Sequence, residues 1–416
     1  MAEFAQSGIA APGIQQVDWE QRVDMDRLRT YRFERAKAAL EASELGAVLV
    51  FETSNVRYLT ATHIGTWAYN KTERWALLTR NGTPWIWDFG SAAKNHRMYS
   101  PWINSSQSLG GNLGLQGAIA PNSGLPADAA QEIAEILRNE GVADMPIGVD
   151  TIELAVLREL EALGLEVLDG QQVMLNAREI KNVDEIMLLS QAAAMVDGVY
   201  QDISEVLKPG VRENDIVALA TSRLIEMGSE QVEAINSIAG ERCSPHPHVF
   251  SDRYVRPGDT AYFDIIHAYN GYRTCYYRTF AVGRATQAHH DAYAKAREWI
   301  DAAIQAVKPG VGTDEIAKLW PKAEEFGFDS EMEAFGLQFG HGLGLGLHER
   351  PIISRLNSLE TPVEIKEGMV FALETYCPAK DGRSAARIEE EIVVTADGSD
   401  LLTLFPAEEL FITNKY

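Results

Sequence analysis

The pattern of hydrophobic and polar positions divides the chain into two parts. In the first part, short apolar runs of strand length alternate with longer segments of helical periodicity, and glycine, proline or polar residues separate them. We predict helices over 26–45, 127–138 and 152–163, strands over 47–51, 55–60, 75–79, 84–89, 147–150 and 165–168, and a long loop over 100–124. Residues 1–170 are therefore expected to form one α/β domain.

The second part, residues 171–416, contains an internal repeat. Two predicted helices, 172–180 and 183–207, lead into LKPGVRENDI at 207–216, which recurs as VKPGVGTDEI at 307–316. Further along, VRPGDTAYFD ends on Asp264 and IKEGMVFALE ends on Glu374. Two copies of one helix-and-strand unit predict a pseudo-two-fold α+β domain. We expect the carboxylates of Asp264 and Glu374, each at the end of its strand, to face each other across the axis.

A glycine-rich segment, FGHGLGLGLHERP at 339–351, carries two histidines, His341 and His348. Glycine at every second position from Gly340 to Gly346 allows sharp bends and a close approach to a ligand. A turn with two incidental histidines explains the segment equally well when it is considered alone. Its surroundings decide between the two interpretations.

Three carboxylates and one imidazole are predicted to converge from separate strands. Asp264 and Glu374 occupy repeat-related positions, Glu389 lies in the strand that follows Glu374, and His341 lies in the glycine-rich segment. A single strand-end glutamate is usually solvated, and a single histidine is usually satisfied by hydrogen bonds. Taken together, the four predict a site, since buried carboxylates need a cation or protons and divalent metals prefer oxygen and nitrogen ligands.

Composition limits the classes of partner. The net charge of -23 excludes nucleic acid, whose binding depends on lysine and arginine, and favours cationic or zwitterionic small molecules, although it also serves solubility. No apolar run reaches the roughly 18 residues of a membrane span, and the N-terminus lacks the features of a signal peptide. Three cysteines, an odd number in a long chain, are typical of reduced thiols. We therefore expect a cytoplasmic protein without a membrane partner.

These residues resemble the motifs of the pita-bread enzymes, a family that includes methionine aminopeptidase, aminopeptidase P, prolidase and creatinase. The resemblance rests on Asp264 in AYFD, His341 in GHG, Glu374 in FALET and Glu389 in ARIEEEIVVT. It implies a creatinase-like α/β domain followed by a pita-bread domain, and a divalent-metal site on these four residues. Cys275 occupies the position where the family's second, metal-bridging aspartate is expected.

The same resemblance implies the residues that contact substrate. His248 in SPHPHVF and His348 in HERP correspond to two histidines that flank the site. A homodimer is also implied, in which the first domain of one subunit closes over the site of the other. Arg57, Tyr58 and Trp67 are the predicted contacts of that lid, although core packing explains Tyr58 and Trp67 equally well.

Over its whole length the chain most resembles the dimethylsulfoniopropionate lyases of this family, through MDRLRTYRFERAKA, NVRYLT, WIWDF, LEVLDGQQV and NAREIKNVDEI. The implied reaction is β-elimination at a carbon–sulfur bond of a small zwitterion. His348, a peptidase-like residue, and Cys275 favour the alternative of carbon–nitrogen hydrolysis. That hydrolase would be metal-independent and similar to creatinase or ectoine hydrolase, or similar to an Xaa-Pro dipeptidase. A binding protein that kept the fold without the chemistry is a further alternative.

Cys275 leaves the cofactor open. The thiol could be a small buried hydrophobic group, a ligand of a single zinc, iron or manganese ion, or a redox or nucleophilic group. With a metal, Glu374 or His348 would move protons. Without one, His248 would be the acid and base, and Glu374 and Glu389 would hold a cationic group.

Overall fold

A computed structural model describes residues 23–65, 73–111, 113, 118–337 and 339–415 of the chain. The predicted lid residue Trp67 lies outside the described residues. Three β-sheets and their helices account for the fold of the described part. None of the helices in these ranges is both long and apolar enough to cross a membrane.

The first sheet has six strands in the order β4-β3-β2-β1-β5-β6 and combines parallel and antiparallel pairs. Its strands are β1 (Ala47–Val50), β2 (Trp75–Thr79), β3 (Trp85–Asp88), β4 (Ser108–Gly110), β5 (Ile147–Val149) and β6 (Val167–Asp169). The helices of this region are α1 (Met25–Glu41), α2 (Thr53–Thr60), α3 (Gly90–Tyr99), α4 (Leu125–Asn139) and α5 (Leu154–Ala162). The predicted α/β layer is confirmed.

Burial explains the centre of this sheet. Every residue of β1 and β2 is buried, as expected for apolar strands that are covered on both faces. Trp75 and Trp87 stack with ring centroids 3.7 Å apart and are fully buried, so both tryptophans belong to the core. A 3-10 turn at Ser105–Gln107 and the short strand β4 interrupt the predicted loop.

Two details of this region were predicted wrongly. Residues 55–60 form the last six residues of helix α2 instead of a strand, because the side chain of Glu52 caps the helix by accepting from the amides of Ser54 and Asn55. Helix α3 was missed because its sequence, GSAAKNHRMY, buries only Ala93 and His96 and so has little apolar periodicity.

Two helices connect this region to the rest of the chain, α6 (Gln171–Arg178) and α7 (Val183–Val206). Asn182 caps α7 and forms a reciprocal capping box with Glu185. Glu185 also accepts a hydrogen bond from the Tyr272 hydroxyl at 2.8 Å, and Arg32 of α1 donates to that same hydroxyl at 3.0 Å. The first sheet ends at residue 169, and a domain boundary at 170/171 stays a prediction.

The remaining strands form two further sheets. One has the order β15-β9-β8-β7, and the other has the order β11-β10-β12-β13-β14. Their strands are β7 (Gln231–Ala239), β8 (Thr260–Tyr269), β9 (Tyr272–Val282), β10 (Gly340–Gly342), β11 (Glu349–Ile353), β12 (Val370–Pro378), β13 (Ala385–Val394), β14 (Ser399–Leu401) and β15 (Phe411–Thr413). Their helices are α8 (Glu213–Glu226), α9 (Gln287–Ala306), α10 (Thr313–Ala317) and α11 (Glu331–Ala334).

The internal repeat is visible in the backbone. The amide of Gly210 donates to the carbonyl of Val255 at 2.9 Å, and the amide of Gly310 donates to the carbonyl of Ile365 at the same distance. Gly210 and Gly310 have φ angles of 93° and 89°. The corresponding strand pairs are β8·β9 and β12·β13, both antiparallel. The predicted duplication is therefore confirmed.

The position of the paired carboxylates differs from the prediction in one respect. Asp264 and Glu374 lie near the middle of β8 and β12, since both strands continue to Tyr269 and Pro378. The residues that follow each carboxylate are almost all buried, so the strands extend through the core. This placement makes both carboxylates nearly inaccessible to solvent.

Candidate active site

The five residues predicted as metal ligands come together between the two C-terminal sheets. Each comes from a different strand, and each is more than nine-tenths buried. They are Asp264 on β8, Cys275 on β9, His341 on β10, Glu374 on β12 and Glu389 on β13. The structure thus brings together the residues that the motifs singled out, although they are distant in the sequence.

Three of the five offer ligand atoms that lie close together. One atom each from Cys275, His341 and Glu389 can be chosen so that all lie within 4.8 Å of one another. His341 Nε2 lies 3.6 Å from Glu389 Oε1, and Cys275 Sγ lies 3.9 Å from Glu389 Oε2. Sulfur, nitrogen and oxygen donors at such separations fit one divalent ion.

Asp264 and Glu374 are tied to other partners. Asn236 Nδ2 donates to Asp264 Oδ2 at 2.9 Å, and the Cys275 thiol lies 3.4 Å from Asp264 Oδ1. The guanidinium of Arg387, which is completely buried, donates to Glu374 and lies 4.1 Å from the centroid of the Tyr277 ring. Arg387 therefore partly neutralises a site that contains three carboxylates.

Burial dominates the acid–base behaviour of the site. It raises the pKa of Glu374 to about 7, although Arg387 opposes the shift. Burial, together with the neighbouring carboxylates Glu374 and Asp264, holds the pKa of Glu389 well above its usual value. Burial also raises the pKa of Asp264, and burial with Asp264 and Glu389 raises the pKa of the Cys275 thiol. Clustered carboxylates with displaced pKa values are typical of functional sites.

His341 is held as a neutral imidazole. Burial and the neighbouring His348 lower its pKa to about 3. Its Nδ1 lies 3.3 Å from the carbonyl oxygen of Gly342, to which it donates, so Nε2 carries no proton and faces Glu389. This tautomer is the one that a metal-binding histidine needs.

An aromatic column connects His341 to the surface. The rings of His341 and His348 have centroids 4.6 Å apart, Phe339 stacks on His348 at 6.4 Å, and Phe335 stacks on Phe339 at 5.4 Å. His348 and Phe335 are exposed, whereas Phe339 and His341 are buried. Partial burial lowers the pKa of His348. The second predicted histidine therefore lies at the mouth of the site.

The glycines of the 339–351 segment are required by close packing. A Cβ atom on Gly342 would lie 2.2 Å from the carbonyl oxygen of Arg350, and one on Gly344 would lie 2.5 Å from Glu349 Oε2. Glu349 is buried and accepts from the amide of Gly346 at 2.8 Å. The segment thus folds tightly around Glu349, and this fold positions the adjacent His348.

His248 is exposed and has a φ angle of 51°. Its ring lies 3.8 Å from that of His246, whose Nε2 lies 3.0 Å from the Tyr277 hydroxyl. Burial and Arg387 lower the pKa of His248 to about 4. The hydroxyl of Tyr277 also accepts from Asn236 at 3.3 Å, so a hydrogen-bonded path leads from His246 to Asp264.

The predicted lid residues lie away from this cluster. Tyr58 is a core residue, 2% exposed, and its hydroxyl donates to the carbonyl of Ala177 at 3.0 Å. Core packing, the alternative considered for Tyr58, therefore accounts for this side chain. Arg57 is paired with Glu230 in the same chain, and its contact with a partner subunit stays a prediction.

Several residues of the site were missed from the sequence. Arg387 and Glu391 flank Glu389 at a spacing of two, which places all three side chains on one face of β13. Glu391 Oε1 accepts from the Thr274 hydroxyl at 2.5 Å and from the Cys275 amide at 2.6 Å. This alternation could have revealed Arg387 and Glu391. The long-range partners Asn236, His246 and Tyr277 had no such indication.

Comparisons with known proteins identify relatives of the whole chain and of its second part. A dimethylsulfoniopropionate lyase, DddP, of Roseovarius nubinhibens is 26% identical over 97% of this chain and 89% of its own length. A probable dipeptidase, PepE, of Mycobacterium bovis is 31% identical and covers 62% of this chain and 68% of its own length. An Xaa-Pro dipeptidase of Pyrococcus furiosus is 28% identical over 65% of this chain.

Solved structures and a family profile complete the comparison. Dipeptidase PepE from Mycobacterium ulcerans superposes with a TM-score of 0.73 at 24% identity and covers 93% of this chain. An Xaa-Pro dipeptidase from Bacillus anthracis superposes with a TM-score of 0.71. These likenesses confirm the predicted α+β pita-bread fold. The profile of metallopeptidase family M24 matches residues 187–396, which contain the five clustered residues, and the chain belongs to this family.

Proposed function

We propose that the protein is an M24 enzyme that acts on a small zwitterionic or cationic compound at the cluster of Asp264, Glu374 and Glu389. The observation that carries the proposal is the burial of these three carboxylates, of which Glu374 pairs with the buried guanidinium of Arg387. Burial raises the pKa values of these carboxyl groups, and a positively charged group on a substrate would stabilise their ionised forms. Buried carboxylates are costly unless a cation or a proton neutralises them, and groups with such perturbed pKa values cluster at functional sites.

Two reactions are compatible with this site, and we favour β-elimination at a carbon–sulfur bond. The relative named as a dimethylsulfoniopropionate lyase matches 97% of this chain, whereas the dipeptidase PepE matches 62%. The similarity to the lyase therefore includes the first α/β region. The exposed rings of Phe335 and His348 lie at the mouth, where aromatic faces can attract a sulfonium or quaternary ammonium group.

The residues of the chain divide into two roles in this proposal. Glu374 and Glu389 bind or orient the substrate's polar groups inside the site, and Glu374, with its pKa near 7, can accept or donate a proton. If a metal is bound, the exposed His348 at the mouth is a second candidate to move protons, and if none is bound the exposed His248 is the acid and base. M24 enzymes use divalent metals, and a bound ion would polarise the substrate or lower the pKa of a water molecule.

Incubation with dimethylsulfoniopropionate tests the lyase. We expect wild type to release dimethyl sulfide and acrylate in equal amounts, and we expect His348→Ala to lose at least about tenfold in rate, since general acid–base groups contribute 10²–10⁴-fold. His290→Ala, which changes an exposed histidine on α9, is the matched control and should retain full activity. No dimethyl sulfide above a heat-killed sample would exclude the lyase.

Carbon–nitrogen hydrolysis is the second candidate, and the position of His348 favours it. The His348 ring lies 4.6 Å from the His341 ring in a tilted arrangement, and the sequence resemblance makes His348 a peptidase-like residue. An Xaa-Pro dipeptide panel with added manganese, and a parallel panel of guanidino and cyclic amidine compounds without metal, would detect it. Proline release that depends on manganese would identify a dipeptidase, and turnover without metal would identify a creatinase-like hydrolase.

Three expectations about the whole molecule remain proposals. We propose two domains that meet at residues 170/171, a homodimer in the cytoplasm, and a lid that includes Arg57. Because Arg57 is already paired with Glu230, the lid requires either that this pair opens or that it contacts the partner as a unit. Sedimentation analysis of the purified protein tests the dimer, and an exclusively monomeric protein would exclude the lid.

A further inference from the structure

We propose that Cys275, His341 and Glu389 bind a single divalent ion through a sulfur, a nitrogen and an oxygen atom, and that the thiolate makes this site selective for zinc-like ions over manganese and magnesium. The proposal concerns the same site as the proposed function and specifies its metal. It does not depend on which substrate is turned over.

The distances support a tetrahedral site. Typical bonds of zinc to sulfur, nitrogen and oxygen are about 2.0–2.3 Å long, so two ligands on one tetrahedral ion lie about 3.3–3.8 Å apart. His341 Nε2 and Glu389 Oε1 are 3.6 Å apart, and Cys275 Sγ and Glu389 Oε2 are 3.9 Å apart. One ligand atom from each of the three residues can be chosen so that all lie within 4.8 Å of one another. The side chains would move toward a common ion to coordinate it.

The hydrogen bonds show which atoms are available. Glu389 is fully buried, and its Oε1 has no hydrogen-bond partner among the described residues. Nδ1 of His341 donates to Gly342, which leaves the Nε2 lone pair directed toward Glu389. Glu389 Oε1 and His341 Nε2 thus face each other at 3.6 Å, with no hydrogen bond between them among the described residues. A cation placed between them would satisfy both atoms. The lack of a hydrogen-bond partner for Glu389 Oε1 is an observation that does not involve Cys275.

Asp264 and Glu374, the other two carboxylates of the cluster, differ in whether they are available to coordinate the ion. Asp264 Oδ1 is 3.4 Å from Cys275 Sγ and can supply a fourth ligand, whereas Glu374 is engaged by Arg387. Three protein ligands and an exchangeable position are typical of catalytic zinc. A thiolate favours zinc, cobalt or iron, while manganese and magnesium prefer carboxylate oxygens.

A second contact holds the sulfur in place. Glu391, which is fully buried, accepts a hydrogen bond from the amide of Cys275 at 2.6 Å and from the hydroxyl of Thr274 at 2.5 Å. These bonds fix β9 at the cysteine and orient its side chain toward Glu389. Glu391 is thus a positioning residue for the sulfur ligand.

Cobalt(II) titration of the chelator-treated full-length protein tests the proposal without an activity assay. We expect saturation at one cobalt per chain, with the near-ultraviolet charge-transfer absorption of a cobalt–thiolate bond, and displacement of cobalt by zinc and not by manganese. Cys275→Ala should lose the absorption and bind at least about 100-fold more weakly, since loss of an outer-shell contact alone weakens binding 10–100-fold. Cys377→Ala removes a buried thiol elsewhere on β12 and should match wild type.

Further variants separate the possible results. Cys275→Asp should bind cobalt without the thiolate absorption and should shift the preference toward manganese. Glu391→Gln should keep the stoichiometry and shift the absorption, which a purely structural residue would not do. Binding without thiolate absorption, absorption that survives Cys275→Ala, two tight sites in wild type, or no binding by folded protein would each overturn the proposal. Turnover by a protein that fails this test would leave the proposed function intact.

Discussion

Glu349 lies at the centre of a buried charge cluster that positions the mouth of the site. Its carboxylate lies 3.1 Å from Lys181 Nζ and 3.5 Å from Arg178 Nε, and all three residues are less than 5% exposed. The other carboxylate near Arg178 belongs to Glu52, which is 3.7 Å away and one-third exposed. Glu349 is therefore the principal counter-charge for two buried cations.

Glu349→Gln should destabilise the protein by about 3–5 kcal/mol at pH 7, because removal of one partner leaves buried charge uncompensated. The side-chain oxygen of the glutamine can still accept the hydrogen bond from the Gly346 amide. The loss of stability therefore reports mainly the removed charge. Urea unfolding followed by tryptophan fluorescence measures it. The control is Glu179→Gln, which breaks a pair with the half-exposed Lys366 at 3.4 Å and should cost less than about 1 kcal/mol.

The effect of Glu349→Gln should depend on pH. Burial alone would raise the pKa of Glu349, but Lys181 and Arg178 outweigh it and hold the pKa below its usual value of 4.5. A depressed pKa in the folded state contributes stability above pH 4.5 that is lost as the pH falls through the folded-state pKa. The difference between wild type and variant should therefore shrink below pH 4.5. A variant within about 0.5 kcal/mol of wild type at pH 7 would refute this account, since surface substitutions have effects of that size.

Two further predictions concern glycines. Gly344→Ala should destabilise the protein and reduce turnover, because the new methyl group would lie 2.5 Å from Glu349 Oε2. The control is Gly90→Ala, which has open space around it and should not change stability. Thermal unfolding of both variants makes the comparison. Gly210→Ala and Gly310→Ala should each cost about 1–2 kcal/mol, because both have a left-handed backbone conformation without steric obstruction. If the losses of stability in the two variants differ from each other by more than about 2 kcal/mol, the repeats are not equivalent.

Much of the fold was accessible from the sequence because duplication and apolar periodicity are local patterns. The paired glycine turns were predicted from the repeat, and Asp264, His341, Glu374 and Glu389 were predicted to converge; the structure shows the turns and brings the four side chains together. Local patterns do not show how far a strand continues. Asp264 and Glu374 were therefore predicted at strand ends, where they would be partly solvated, and were found in mid-strand, where burial controls their pKa values.

The contacts that tune the site depend on tertiary structure. The helix at 53–60 forms because Glu52 caps it, and the apolar run NVRYLT alone is equally compatible with a strand. Asn236 pairs with Asp264 across β7 and β8, a register that no local pattern specifies. Arg387 and Glu391 were the exceptions, since strand alternation from Glu389 could have identified both.

The most direct test of a functional site at this cluster is turnover by wild type and Glu389→Gln, assayed in parallel against dimethylsulfoniopropionate and an Xaa-Pro dipeptide. Glutamine preserves the shape of the side chain and removes the ionisable carboxyl group of a fully buried residue at the centre of the cluster. We predict that wild type converts one of the two and that the variant, although folded, loses at least about 100-fold in rate, the range of a catalytic group. Undiminished turnover by folded Glu389→Gln would contradict the assignment of the active site to these strands.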